Sequence, residues 1–371
     1  MKFSVSSSDI LKKIQIASGV LPTNAIMPIL DDFLLELSGN ELTMVVSDLE
    51  TTIRTRIPVN GEEDGTIAVR GKILSDTIKA LPEQPIQFVK EEGSNTLLLK
   101  TNNGEYRLAC DDFEEFPQIP ETVTSEPVEI PIAVIEGAIT QTIFATSNDE
   151  MRQAMMGVYI NIQKDKVIFV ATDAHKLVKY TYLDFQAPEE GTMIIPKKSL
   201  VLVKNALKGS GNLKIDYSNS HVFFELEDTE IACRLIDAQF PNYNAVIPTD
   251  NPNLLTIDRV SFLNSIKRIS IYANKTTNQL VLDLNSERLL IKAQDLDYSN
   301  EAEEKLECQY SGDPMEIAFN SRFLIEMLNV LDSEEVMMEL STPNRASLIL
   351  PSSSADDEDM LMLVMPVMVN R

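Results

Sequence analysis

Cysteine and histidine are both scarce in this chain: 371 residues hold Cys110, Cys233 and Cys308, and only His175 and His221. The cysteines lie far apart, and no close pair supplies zinc-ligand spacing, so neither a disulfide framework nor a metal centre is expected. Each thiol reads as a reduced side chain buried in a strand. Catalytic signatures are missing as well: there is no G-x-S-x-G, no H-E-x-x-H and no phosphate-binding P-loop. No cofactor is expected. Long apolar runs are absent too, so no segment reads as a membrane span. Met1-Lys2-Phe3-Ser4-Val5 meets Ser and Asp too soon for a secretory signal, which places the protein in the cytoplasm. Positive charge is short: 32 Lys and Arg stand against 57 Asp and Glu, a net charge of −25. Taken whole, that excess repels nucleic acid and points to protein partners or solubility.

What is present is ordinary in bulk and unusual in order. The chain is 44% apolar and 24% charged, as folded domains are, and its length calls for two or three of them. Internal similarity resolves the number. Met1 to Val5 alternates as a strand, Ser8 or Asp9 can cap, and Ile10, Leu11, Ile14 and Ala17 form a helical stripe. Val128 to Ile132 followed by Ile135, Ile139 and Ile143 repeats this. So does Leu254 to Ile257 followed by Val260, Leu263, Ile266 and Ile269, with Asp258 as cap. A polar-Asp step after an apolar strand then recurs as Ser47-Asp48-Leu49, Thr172-Asp173-Ala174 and Gln294-Asp295-Leu296, at intervals of about 125 and 122 residues. Each repeat continues with a strand and a second helix: Thr66 to Val69 into Ile73 to Leu81, Thr192 to Ile195 into Leu200 to Leu207, and Met315 to Phe319 into Phe323 to Leu331. The first two repeats close on matching stretches, Tyr106 to Pro117 and Ile231 to Pro241.

Proline and acidic residues cluster at the joins, giving repeats of 1–125, 126–250 and 251–371. Turns such as Ser38-Gly39-Asn40 and Asn102-Asn103-Gly104 predict hairpins, so the sheets should be antiparallel and the class α+β, three tandem copies of two helices packed on antiparallel sheets.

The six helical segments carry a net charge of about +7, which leaves about −32 for the rest of the chain. Lys12, Lys13, Lys72, Lys79, Lys197, Lys198, Lys204, Lys208, Arg259, Lys267, Arg268 and Arg322 are responsible. If equivalent helices face one way, these side chains form a basic surface that meets phosphates without reading bases, while the acidic faces push nucleic acid off. Any single lysine among them can equally be solvating an exposed helix face.

With these residues in view, the chain resembles the bacterial DNA polymerase III β-subunit family, the sliding clamps. Met1-Lys2-Phe3, Pro28-Ile29-Leu30, Ser47-Asp48-Leu49-Glu50, Ala171 to Leu177, Phe240-Pro241-Asn242-Tyr243, Phe319-Asn320 and Val364-Met365-Pro366 carry the resemblance, which spans the whole chain. It implies a head-to-tail homodimeric ring, sheets outside and helices inside, that encircles duplex DNA in a sequence-independent way as a polymerase processivity factor without chemistry of its own. The DNA-facing set would be Lys12, Lys13, Lys72, Lys79, Lys197, Lys198, Lys204, Lys208, Lys267 and Arg268. Ring closure would set Tyr106 and Leu108 against Ile271 and Tyr272 of the second copy, although each also suits an ordinary core position. A groove between the second and third repeats would receive peptides from the DNA polymerase III catalytic subunit, the clamp loader and other clamp-binding repair and replication proteins. By motif match its walls are Met155, Thr172, Ala174, His175, Lys176, Leu177, Pro241, Val246, Leu363, Val364, Met365, Pro366 and Val367, an adaptable Met- and Pro-rich surface. Residues Met360 to Met368 also read as a final core strand.

This sequence departs from the family at several points. Ala174 and Lys176 stand where the groove motif usually has Gly and Arg, and Lys cannot form a planar bidentate contact. The chain continues as Met368-Val369-Asn370-Arg371 past the usual end, the first helix of the second repeat holds no Lys or Arg, and Thr23 and Asn24 are neutral. Two other classes remain as alternatives: a triplicated protein-binding scaffold that does not encircle DNA, and an enzyme using a cleft at Asp173 and His175. Basic helices in an acidic chain speak against the first, and the missing motifs against the second.

Overall fold

The computed structural model describes residues 1–24, 26–91, 93–121, 127–286 and 288–368. The cut expected at 125 and the tail from Val369 onward lie outside the described residues. Six α-helices are present among those described: α1 Ser7–Ala17, α2 Gly71–Ala80, α3 Ile132–Thr142, α4 Lys197–Ala206, α5 Arg259–Ile269 and α6 Ser321–Val330. Each grows directly out of a strand, Lys2–Ser6, Gly65–Arg70, Val128–Pro131, Gly191–Pro196, Asn253–Asp258 and Met315–Asn320 in turn. Asp258 caps α5, its carboxylate accepting from Ser261 N–H at 2.7 Å, and Asn320 caps α6. For α1 the expected cap at Ser8 or Asp9 is corrected to Ser6. The helix begins as soon as the strand ends, so the hydroxyl that meets its first free amide is that of Ser6, which accepts from Ser8 N–H at 3.3 Å. Of the apolar stripe of α1, Ile10, Ile14 and Ala17 are fully covered and Leu11 is half-buried. Each such Ile contributes about 1.5–3 kcal/mol.

Every strand ladder among the described residues is antiparallel. Two compact units divide the chain, Met1–Glu136 with Lys198–Leu235, and Gly137–Lys197 with Ile236–Arg371. The first holds a 13-stranded sheet in which the strand Thr51–Pro58 pairs with Thr229–Arg234, in register from Thr51 opposite Cys233 to Thr55 opposite Thr229. The second holds a nine-stranded and a four-stranded sheet. In the larger, Lys176–Tyr182 pairs with the last long strand, Glu358–Val364, from Lys176 opposite Val364 to Tyr182 opposite Glu358. Strands from neighbouring repeats thus share one sheet within each unit.

The recurring Asp is a turn device. Asp48 Oδ1 accepts from Glu50 N–H and Thr51 N–H at 3.1 and 2.7 Å, and Asp173 Oδ1 accepts from His175 N–H and Lys176 N–H, both at 2.9 Å. In both turns the hydroxyl before the Asp accepts the amide after it, Ser47 from Leu49 and Thr172 from Ala174. This bends the intervening residue into the left-handed region, Leu49 at φ 73° and Ala174 at φ 76°. In the third repeat Asp295 accepts from Asp297 N–H at 3.2 Å, and the positive φ moves to Ser299. The three thiols are free: Cys110 and Cys233 are buried and Cys308 is half-buried. Burial pushes the Cys233 thiol up to about 12 and raises that of Cys110, so both are protonated and unreactive at neutral pH.

Candidate functional site

The Asp173 turn sets the centre of the site. It delivers Ala174 and His175 to the surface and turns the chain so that Lys176 and Leu177 re-enter the sheet opposite Val364 and Leu363. His175 C=O accepts from Met365 N–H at 2.9 Å, and Ala318 C=O accepts from Val367 N–H at 2.8 Å, which fixes the path of Met365, Pro366 and Val367. Under this rim lies an apolar cluster of Ile168, Val170, Leu177, Tyr243, Leu348 and Leu363, with Tyr159, Phe240 and Ile247 packed on it. Tyr159 stacks on Phe240 at 4.8 Å between ring centroids. Burial raises the Tyr159 hydroxyl above its ordinary pKa, with Tyr243 adding to the effect, so it is a neutral hydrogen-bonding group here.

The thirteen predicted groove residues separate by depth. Ala174, His175, Pro241, Val246 and Met365 are exposed, and Met155, Pro366 and Val367 are half-buried. Thr172, Lys176, Leu177, Leu363 and Val364 are buried and form the wall and floor. Val246 at 57% exposed and Met365 at 38% are the large apolar side chains most open to water. Phe240, Tyr243 and Ile247 were not among the predicted walls. The first two stood in the quoted Phe240-Pro241-Asn242-Tyr243 stretch, and their aromatic character was the available signal.

Lys176 has a setting that sequence did not suggest. Its ammonium is nearly buried, 2.9 Å from Asp173 Oδ2, 3.1 Å from Glu326 Oε2, and 4.4 Å from the centroid of the Phe323 ring. His175 lies over the same ring at 6.3 Å. The Lys176 charge is spent inside the protein, tying the turn to α6, and what faces solvent is the imidazole of His175.

The basic residues divide likewise. Lys12 pairs with Asp9 at 3.2 Å, Lys13 with Asp228 and Lys198 with Asp48, and Arg268 donates twice to Glu304 at 2.8 and 2.6 Å. Lys267 donates to Asn329 at 3.1 Å. Lys72, Lys79 and Lys208 are exposed, and Lys197 and Lys204 are partly covered. The carboxylate partners dilute the positive field below what the helix count implies.

Of the predicted ring-closing residues, Tyr106 is 39% exposed, Ile271 66% and Tyr272 43%, whereas Leu108 is buried. Tyr106 borders an open hollow of about 740 Å³ with Ile73, Thr77, Ala80 and Leu81 of the α2 side. Nearby, Asp32 is fully buried, 3.4 Å from Arg70 Nε, while Arg70 also meets Asp31 and Asp111 at 3.5 and 2.8 Å. Burial dominates and pushes the Asp32 carboxyl up to about 7; Arg70 opposes the shift and Asp111 adds to it. Among the described residues no group of three or more His, Cys, Asp or Glu is placed to hold a metal ion, and no helix is long and apolar enough to cross a membrane.

Three consecutive family patterns match the chain: DNA polymerase III beta subunit, N-terminal domain, over residues 1–120; the central domain of the same subunit over 129–242; and its C-terminal domain over 244–368. A Beta sliding clamp of Treponema pallidum is 27% identical, with 99% of each chain covered. The crystal structure of the DNA polymerase III subunit beta from Pseudomonas aeruginosa superposes with a TM-score of 0.93 at 28% identity, covering 100% of both chains. A second structure of the Pseudomonas aeruginosa clamp, bound to griselimycin, gives a TM-score of 0.93 at 26% identity over 100% of both chains.

Proposed function

Because this chain belongs to the DNA polymerase III beta-subunit family, the sliding clamps that act as polymerase processivity factors, we propose that two copies close head to tail into a ring around duplex DNA. The observation that carries the reading is the triplication itself: three successive family domains fall on the repeats that the Asp turns mark at residues 48, 173 and 295. Repeats bounded near 125 and 250 are the units of that ring. Binding is topological, so a modest basic surface on the helices suffices, and one in which Lys12, Lys13 and Lys198 are neutralised by Asp9, Asp228 and Asp48 lets the ring slide.

The protein works without chemistry of its own, in the cytoplasm. The surface formed by Ala174, His175, Val246 and Met365 over the Leu177–Leu363 cluster receives apolar peptide segments of the polymerase catalytic subunit, the clamp loader and repair proteins. The bound griselimycin of the Pseudomonas aeruginosa clamp supports a ligand-accepting site in this fold. Tyr106 of one copy meets Ile271 and Tyr272 of the other, with the buried Leu108 supporting Tyr106's strand from within.

The test loads the protein onto nicked circular DNA with a clamp loader and ATP, then linearises the circle. A ring slides off the ends and the bound fraction falls to background. Retention on linear DNA refutes encirclement and favours a scaffold that binds by contact.

A further inference from the structure

Redox chemistry has few places to happen in this chain. There is no tryptophan, and the three thiols are buried or half-buried, each raised above its ordinary pKa by burial, so little thiolate is present to react. That leaves the thioether sulfur of methionine, which carries no proton and needs no ionisation before it meets an oxidant. The chain holds fifteen methionines. Among them Met27, Met151, Met365 and Met368 are exposed, at 40%, 94%, 38% and 88%. Met27 belongs to the first compact unit, and the other three belong to the second, which also holds the Leu177–Leu363 cluster.

Two of those three sit at the Asp173 turn. Met151 lies on the short 3-10 helix Glu150–Met155, which Asp149 caps by accepting from Met151 N–H at 3.0 Å. Arg152 of that helix donates to Asp173 C=O at 3.4 Å. Met365 meets the same turn through its N–H, which donates to His175 C=O at 2.9 Å, and Val367 N–H donates to Ala318 C=O at 2.8 Å. Residues 365–367 are thus pinned at both ends. The backbone of Met365 therefore cannot carry its side chain away from the apolar cluster if that side chain turns polar.

Resting on the reading of this surface as the seat of apolar peptides, we infer that Met365 is a reversible oxidation site that switches the seat off. A hydroperoxide is the oxidant. The sulfur lone pair attacks one peroxide oxygen, and an S–O bond forms as the O–O bond breaks. The proton on the transferred oxygen moves to the departing one, which leaves as water or an alcohol. Sulfur gives up an electron pair, and the peroxide is reduced by it. The sulfoxide oxygen needs a hydrogen-bond donor, and an apolar peptide pressed on it offers none. Met151 and Met368, more open, react earlier and consume oxidant, so the seat closes only above a threshold dose. A thiol-dependent sulfoxide reductase reverses the step: a pair of thiols becomes a disulfide and the oxygen leaves as water.

The test exposes the full chain to hydrogen peroxide, maps sulfoxides by mass spectrometry, and measures affinity for the DNA polymerase III catalytic subunit by surface plasmon resonance at each dose. Met151 and Met368 should be modified first, Met365 next, and the buried Met360 and Met362 not at all. The dissociation constant should rise about tenfold in step with oxidation of Met365, and return after treatment with a sulfoxide reductase and dithiothreitol. Met365→Leu should show one affinity before and after peroxide, whereas Met27→Leu and Met151→Leu should lose affinity as the parent does. Met365→Gln, which places a permanent polar group there, should bind about tenfold more weakly than the parent with no oxidant present. Full oxidation of Met365 with unchanged affinity, or an equal loss in Met365→Leu, overturns the switch and leaves the seat standing. A loss that tracks sulfoxide at Met360 or Met362 comes from unfolding and overturns the switch as well. An untreated chain that does not bind the subunit overturns the peptide reading and the switch with it.

Discussion

Replacing Lys176 by methionine removes a nearly buried cation while keeping most of its stem. Three contacts are lost together: Asp173 at 2.9 Å, Glu326 at 3.1 Å and the Phe323 ring at 4.4 Å. Breaking a buried ion pair by deleting one partner costs about 3–5 kcal/mol, because the other charge is stranded. Here the penalty is smaller. Asp173 keeps its two backbone N–H donors, and the Glu326 side chain, 43% exposed, regains water. Adding about 1 kcal/mol for the lost cation–π contact gives a total of about 2–3 kcal/mol. For a unit of this size that lowers the melting temperature by about 5–10 °C in differential scanning calorimetry. Removing the stranded carboxylate as well, with Glu326→Gln, should recover about 1 kcal/mol. The affinity for an apolar partner peptide should also fall, since Lys176 holds both the His175 turn and the Phe323 wall. A melting temperature within 1 °C of the parent would refute the claim that this cation is structural.

Asp32→Asn probes the buried carboxyl beside Arg70. Its folded-state pKa of about 7 lies above the ordinary 3.8, so its contribution to stability is fully present below about pH 4 and is lost as pH rises through 7. The Asn variant should unfold at higher urea than the parent at pH 8, with the difference shrinking towards pH 5; a constant difference across that range would contradict the assignment. Ala174→Gly relieves a Cβ at φ 76°, worth about 1–2 kcal/mol, against about 0.5–1 kcal/mol for the looser unfolded chain. A small rise in the urea midpoint is expected, and a fall would show that the Thr172 and Asp173 bonds already absorb the strain.

How far the sequence foretold these features depends on the range of the interaction. Helices were legible almost to the residue, because Ile10, Ile14 and Ala17, or Leu263, Ile266 and Ile269, declare their buried face by spacing alone. The cap of α1 was missed by two or three residues, since Ser6, Ser8 and Asp9 are all competent and only the abrupt strand-to-helix junction selects the first. The Asp step was legible as a repeat but not as a left-handed turn, because Leu49 and Ala174 are residue types that rarely adopt positive φ. Lys176 was the least legible. Lysine is normally a surface residue, and its burial depends on Glu326 and Phe323, about 150 residues away in sequence. The pairing of Arg268 with Glu304 and of Lys198 with Asp48 was hidden for the same reason.

The ladder that joins Thr51–Pro58 to Thr229–Arg234 also sets a schedule. Thr55 and Thr229, whose hydroxyls lie 3.0 Å apart, are separated by 174 residues of chain. At a synthesis rate of about 5–20 residues per second, the earlier strand waits roughly 9–35 s with one edge unmet before its neighbour emerges. For that interval the nascent chain presents a ready template to any other strand in reach. The threonines along it, Thr51, Thr52 and Thr55, make that edge more polar than its apolar neighbours, which lowers its attraction for the wrong partner until the right one arrives.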